Sequence, residues 1–285
     1  MAPVLSSRRR AFGAAVHILL RFSTVLTVAL PVFLVGYICF RGIPHLSWAL
    51  ISSEESILTD TPGILPSILN TLYVIVLSLL IVVPLGVGAA VYLTEYAKNR
   101  RLVAWIEFAA EILAGIPSII YALIGIIIFC SALGLQKTLL AGSLTMSIMT
   151  LPIIIRTTQE SLQTVPRSYR EGALGLGSGK WRMIRTVVLP SAADGILTGC
   201  ILTAGRVIGE SAVLLYTAGL STLMQDFSSL SGLTQASGAT LAAALYVYAR
   251  ERADFDTAFA IAVVLLLLAA AINLAALSVG RKLRK

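Results

Sequence analysis

Long apolar runs, separated by shorter polar or charged segments, dominate the pattern of the chain. Each run is about 18 residues or longer, which is enough for a helix to cross the hydrocarbon core of a bilayer. The runs predict spans at residues 17–40, 67–94, 111–133, 139–156, 192–218 and 257–279. The longest segments between them are 41–66, 157–191 and 219–256. The pattern therefore predicts an all-α membrane protein with six transmembrane helices.

Composition and charge agree with this prediction. Of the 285 residues, 57% are hydrophobic and 13% are charged, whereas soluble domains average about 25% charged residues. With both termini placed inside, the inner segments hold 17 of the 22 lysines and arginines and the outer segments hold 4. This asymmetry follows the positive-inside rule. It explains the net charge of +8 through contacts with anionic lipid head groups, without nucleic acid.

The inner segment 157–191 contains a recognisable pattern. From Tyr169 to Leu176 the chain can form a short amphipathic helix, which Gly177 and Gly179 would end with a sharp turn. The stretch resembles the cytoplasmic loop E-A-A-x3-G-x9-I-x-L-P of ABC importer permease subunits. The matching positions are Glu171, Ala173, Gly177, Leu189 and Pro190, and the conservative departures are Gly172 and Val187.

This resemblance implies a type I ABC importer permease fold with a cytoplasmic coupling helix that seats in an ATP-binding subunit. The residues implied in the coupling loop are Arg170, Glu171, Gly172, Ala173, Gly177, Leu189 and Pro190. Within this loop, Gly-Ser-Gly-Lys is not a P-loop, because Leu174 and Trp181 occupy positions that need glycine and Ser or Thr. We therefore expect ATP and Mg²⁺ on a separate subunit and no cofactor, metal or catalytic site on this chain, which is not expected to be an enzyme.

A charged pair lies inside the predicted fifth span. Arg206 and Glu210 are four residues apart and would share a helix face. A charge at mid-membrane costs on the order of 2.5–3.5 kcal/mol and is a functional-site hypothesis by default. Gly205 and Gly209 would let another helix approach closely. The alternative is a structural salt bridge between two helices.

The same stretch is similar to the PstA type of phosphate ABC importer permease, which carries an Arg-x-Ile-Gly-Glu signature here. The similarity continues through Leu214-Leu-Tyr-Thr-Ala-Gly219 and covers about residues 65–280. It implies a phosphate path, and a planar guanidinium suits phosphate oxygens. Our hypothesis is that Arg206 contacts the anion in transit and that Glu210 neutralises Arg206 at rest. Arg156 would be a second positive station at the exit.

The resemblance also implies the setting of the chain. We expect a multi-pass protein of the bacterial inner membrane that works with a homologous permease subunit of the PstC type, an ATP-binding subunit dimer and an extracytoplasmic phosphate-binding protein. Residues 1–64 would form a tail, the first helix and an outer loop, 65–280 the permease domain, and 281–285 a basic cytoplasmic tail. The alternatives are a permease for another oxyanion such as molybdate or sulfate, and an ion-coupled secondary transporter.

Overall fold

The computed structural model describes residues 7–55, 61–225 and 234–283. In these ranges the chain folds into helices, which are α1 Ser7–Gly42, α2 Trp48–Ser52, α3 Leu65–Val91, α4 Arg100–Gly115, α5 Ser118–Gly125, α6 Leu139–Thr164, α7 Arg167–Gly175, α8 Lys180–Met183, α9 Leu189–Ser191, α10 Ala193–Gly209, α11 Ala212–Thr217, α12 Leu241–Tyr246 and α13 Phe255–Leu283. Looser π-helical turns extend or link several of them, at Tyr92–Tyr96, Ile126–Ala132, Ile184–Val188 and Val247–Glu251. A 3₁₀ turn, Ile43–His45, follows α1.

Four helices in the described ranges are long and apolar enough to cross a membrane alone, namely α1, α3, α6 and α13. Two further spans form only when a bent pair of helices is counted as one, which gives up to six. The bend is 99° between α4 and the segment Ser118–Ala132, and 65° between the segment Lys180–Ser191 and α10. The predicted all-helical membrane architecture is confirmed, with two broken spans in place of straight ones.

The predicted third span, 111–133, is divided between two helices. The helix α4 ends at Gly115, and Pro117 separates it from α5. Proline lacks an N–H and pushes the preceding residue, here Ile116, out of the helical region. Ile116 accordingly has extended backbone angles, φ −70° and ψ 132°. Residues 111–115 therefore run along a different axis from α5.

The predicted fifth span, 192–218, is also interrupted. The helix α10 ends at Gly209, and Glu210 has extended backbone angles, φ −83° and ψ 114°. A new short helix, α11, then begins at Ala212. Arg206 and Glu210 therefore do not lie on one continuous helix.

The helices α3, α6 and α10 form the centre of the bundle. Small residues allow close approach between them. A Cβ at Gly86 of α3 would collide with Ile154 of α6, and Cβ atoms at Gly195 and Gly199 of α10 would collide with Ser161 and Thr157 of α6. The adjoining core is built from buried apolar side chains, including Val74, Tyr121, Met146, Val207 and Leu214.

The predicted outer end is held by polar contacts between distant segments. Asn70 Nδ2 donates to Ala239 O at 3.1 Å, and Thr71 Oγ1 accepts from Leu241 N at 2.9 Å. Arg252 forms an ion pair with the largely buried Glu55, and hydrogen bonding to that carboxylate raises the pKa of Arg252 above its usual value. These contacts place α12 between α3 and α13. Asp60, a further acid of the outer loop, lies outside the described residues.

Candidate functional site

The helix α7 carries the predicted coupling loop. It begins after Pro166, whose backbone is extended at φ −58° and ψ 142°, and it ends at Gly175. Gly177 takes the left-handed conformation at φ 79°, which glycine adopts without the clash of a Cβ. The amides of Gly177 and Ser178 donate back to Leu174 O and Ala173 O at 2.9 and 3.1 Å, as in a Schellman motif. The short helix closed by glycine is confirmed.

Arg170 anchors this helix to the bundle. Its Nε and Nη2 donate to Glu95 Oε1 at 3.0 and 2.8 Å, and its Nη1 and Nη2 donate to Val165 O and Leu162 O at 2.7 and 2.8 Å. The two side chains are 18% and 8% exposed. A buried charge needs this degree of pairing. Sequence reasoning missed Glu95, although an acid at the inner end of an apolar span is a signal for such a partner.

Lys180 makes further contacts with the π-helical turn Tyr92–Tyr96 that contains Glu95. Its Nζ donates to the backbone oxygen of Glu95 and lies 4.8 Å from the ring centroid of Tyr96. Arg170 and Lys180 of the loop therefore both bind the turn Tyr92–Tyr96. The coupling loop and the inner end of α3 form one connected unit.

The loop has its own apolar base and an exposed apolar crest. Ala173 and Leu189 pack against buried Val165, Ile184 and Val188. On the outside lie exposed apolar side chains, namely Tyr169, Leu174, Leu176 and Trp181, of which Leu176 is 91% exposed. We call these four residues the apolar crest.

The remaining loop residues face outward or end a helix. Glu171 and Gly172 are exposed, and Glu171 makes no ion pair within the described part of the chain. Pro190 lies in the short helix α9, directly after the π-helical turn Ile184–Val188. The loop thus presents α7 and its apolar crest to whatever lies beyond this chain.

Arg206 lies on an open face of α10. It is exposed together with Gly205 and Gly209, and a Cβ at either glycine would meet no described atom within 4 Å. No carboxylate in the described ranges lies within 4.0 Å of Arg206. The guanidinium is therefore available to an anion or to another chain.

Glu210 is turned away from this face. It is 9% exposed, and its Oε1 accepts a hydrogen bond from Val213 N at 3.3 Å at the start of α11. This bond satisfies one of the amides that a helix leaves free at its first turn. In this conformation Glu210 caps α11. Its predicted effect on Arg206 stays a prediction.

Arg156 lies on α6 among carboxylates. Its Nε donates to Glu160 Oε1 at 3.2 Å, and its Nη1 lies 3.9 Å from Glu111 Oε1 of α4. Glu107 accepts from Gln159 Nε2 at 3.1 Å. Both acids of α4 therefore lie opposite α6.

The last turn of α4 contacts both α6 and α5. Glu111 Oε1 lies 3.9 Å from Arg156 Nη1, and two residues later Leu113 O accepts a hydrogen bond of 2.7 Å from the Tyr121 hydroxyl. The end of α4 therefore contacts Arg156 on one side and α5 on the other. Sequence reasoning did not predict this connection.

Comparisons with known proteins agree on one family. Residues 82–285 match the family model described as "Binding-protein-dependent transport system inner membrane component". The chain is 32% identical over 275 residues to the phosphate transport system permease protein PstA of Mycobacterium leprae, covering 94% of this chain and 88% of that one. It is 35% identical over 209 residues to the probable ABC transporter permease protein YqgI of Bacillus subtilis, covering 73% and 71%.

Solved structures show the same fold. A chain of a bacterial alginate ABC transporter superposes with a TM-score of 0.67 at 17% identity, covering 97% of this chain and 96% of that one. A chain of the MetNI methionine ABC transporter, in inward-facing conformations, gives a TM-score of 0.59 at 21% identity, covering 78% and 95%. The type I importer permease fold predicted from the sequence is confirmed.

Proposed function

The chain belongs to the family of binding-protein-dependent transport system inner membrane components, and we propose that it is a permease subunit of an ATP-driven importer of inorganic phosphate. The observation that carries this proposal is Arg206, an exposed arginine of α10 with no ion pair to a described carboxylate. Relatives named as phosphate permeases support the substrate class. The ion-coupled secondary transporter is not retained, because this family serves binding-protein-dependent systems.

An unpaired arginine on a membrane helix suits transfer of an oxyanion. A charged side chain within a membrane span usually faces a partner or a water-filled path. Its planar fork can bind two phosphate oxygens at once. The neighbouring Gly205 and Gly209 leave room beside it for the ion or for a helix of a second permease subunit. Arg206 would therefore hold phosphate during its passage.

The coupling loop supports the use of a separate ATPase. Its apolar crest and the free Glu171 would dock on an ATP-binding subunit, and the bonds of Arg170 and Lys180 to the turn Tyr92–Tyr96 would carry movement of that subunit into α3. A homologous permease subunit would cover the open face of α10. An extracytoplasmic phosphate-binding protein would deliver the ion on the opposite side, and both termini would lie in the cytoplasm.

Uptake of labelled phosphate by cells that lack the chain tests the proposal. Wild type restores uptake at micromolar phosphate, and Arg206→Ala reduces it about ten- to hundredfold, since hydrogen bonds to charged groups contribute about 1.5–3 kcal/mol. Arg250→Ala, which removes an exposed arginine of the outer segment, is the matched control and keeps wild-type uptake.

Competition decides between oxyanions. Excess unlabelled phosphate abolishes the restored uptake, and sulfate or molybdate does not. Normal uptake by Arg206→Ala at equal membrane levels would contradict the role of this arginine. Competition by molybdate or sulfate in place of phosphate would assign the chain to another oxyanion.

A further inference from the structure

A cavity of about 600 Å³ lies between α4 and α6 and has an acidic lining. Its charged side chains are Glu107, Glu111 and Glu160 against the single cation Arg156. The lining therefore carries three carboxylates and one guanidinium. We call this space the acidic vestibule.

Two acids of the vestibule, Glu111 and Glu160, form ion pairs with Arg156. Glu160, one turn further along α6, accepts from its Nε at 3.2 Å, and Glu111 reaches across from α4 to within 3.9 Å of Nη1. All three side chains are about two-thirds exposed, so they meet in an open, water-accessible space. Two edges of the guanidinium that would bind an oxyanion are therefore turned to carboxylates of this chain.

The vestibule adjoins a second cleft that reaches the coupling loop. Glu107, Gln159 and Gln163 line both spaces. The second cleft, of about 830 Å³, also holds Arg100, Arg167 and Arg170. On the proposed path from Arg206 to the coupling loop, an anion would pass the acidic vestibule.

We propose that Glu111 and Glu160 limit inhibition by released phosphate, because they keep Arg156 from binding phosphate that returns from the cytoplasm. The inference rests on the proposed function. A carboxylate next to a cation competes with an anionic ligand, and like charges across a surface disfavour binding. Without the two acids, Arg156 would be a free cation at the exit, and cytoplasmic phosphate would occupy it. The two glutamates are thus positioning residues that act through Arg156.

The assembled transporter in proteoliposomes tests this idea. ATP is enclosed, labelled phosphate and its binding protein are supplied outside, and the enclosed phosphate is varied. In wild type, only a high concentration of enclosed phosphate halves the initial uptake. In Glu111→Gln/Glu160→Gln, the enclosed phosphate that halves uptake falls about tenfold, because two neighbouring charges that oppose the anion are gone. Glu160→Gln alone gives a smaller fall in the same direction.

The triple variant with Arg156→Gln is the matched control. It responds to enclosed phosphate like wild type, because the cation that would hold returning phosphate is removed. Loss of a purely structural link between α4 and α6 would lower uptake equally at every enclosed phosphate concentration. That result, or a triple variant as sensitive as the double variant, would overturn the inference. Absence of phosphate uptake by wild type would instead overturn the proposed function, and this inference with it.

Discussion

Arg170 and Arg206 show how differently two arginines of one chain can be used. Arg170 makes four hydrogen bonds to Glu95, Leu162 and Val165 and is 18% exposed. Arg206 is exposed and has no ion pair to a carboxylate of the described ranges. A charge that its own chain satisfies serves the fold. A charge left unsatisfied on a membrane helix indicates a ligand or partner outside the chain.

The glycines of α10 repeat this contrast. Ser161 and Thr157 of α6 take up the space beside Gly195 and Gly199, whereas no described atom lies within 4 Å of a Cβ at Gly205 or Gly209. The face of α10 that carries Gly195 and Gly199 is thus packed against α6, whereas the face that carries Gly205 and Gly209 is open. Substitutions on the packed face of α10 should therefore lower stability, whereas substitutions on its open face should affect transport.

The largest change in stability is expected for Arg170→Ala. Removing one partner of a buried pair leaves Glu95 uncompensated and costs about 3–5 kcal/mol. Two helix-end carbonyls, of Leu162 and Val165, lose a donor as well. We expect a strongly lowered thermal unfolding temperature of the purified chain in detergent and a reduced amount in the membrane.

The double variant Glu95→Met/Arg170→Met sharpens this prediction. Replacing both members of a buried ion pair by apolar side chains of similar volume is often neutral, so the double variant should recover much of the lost stability. A single Arg170→Ala variant as stable as Arg206→Ala would contradict the division between the two arginines.

An intermediate effect is expected for Gly199→Ala. Its new Cβ would collide with Thr157 Oγ1, and overpacking of this kind costs about 1–3 kcal/mol. Gly205→Ala is the matched control on the same helix, and it should leave stability unchanged or slightly raised, because alanine favours helices by about 1 kcal/mol over glycine. Thermal unfolding of both variants measures the difference. Equal destabilisation by the two substitutions would show that the face of α10 at Gly205 is packed as tightly as the face at Gly199.

Features that depend on residues close together in the chain could be predicted from the sequence. The helix α7 and the glycine turn that follows it at Gly177 are explained by local patterning and by the conformational freedom of glycine. The pair Arg156–Glu160 is four residues apart and was open to the same reasoning. The family match begins at residue 82, inside α3, so the proposed domain boundary at 64 and 65 stays a prediction.

Contacts between distant segments could not be predicted in this way. Glu95 and Arg170 are 75 residues apart, and periodicity within one helix carries no information about such a pair. Pro117 indicated a break, but the 99° angle between α4 and α5 depends on packing against the rest of the bundle. The interruption at Glu210 has no proline. Its signal was a polar Glu-Ser pair after Gly209, which was interpreted as part of a charged helix face.

The smallest change in stability is expected on the apolar crest of the coupling loop. Leu176 is 91% exposed, and surface substitutions usually change stability by less than about 0.5 kcal/mol. Leu176→Ser should therefore unfold at the wild-type temperature. Yet it should weaken co-purification with the ATP-binding subunit and lower uptake, because an exposed leucine at the end of α7 has an apolar partner only in the assembled transporter. Leu220→Ser, which removes an exposed leucine of the outer segment, should keep both properties. If Leu176→Ser retained the ATP-binding subunit at wild-type levels, the crest would not be the docking surface, and Glu171 with its neighbours on α7 would have to supply the contact.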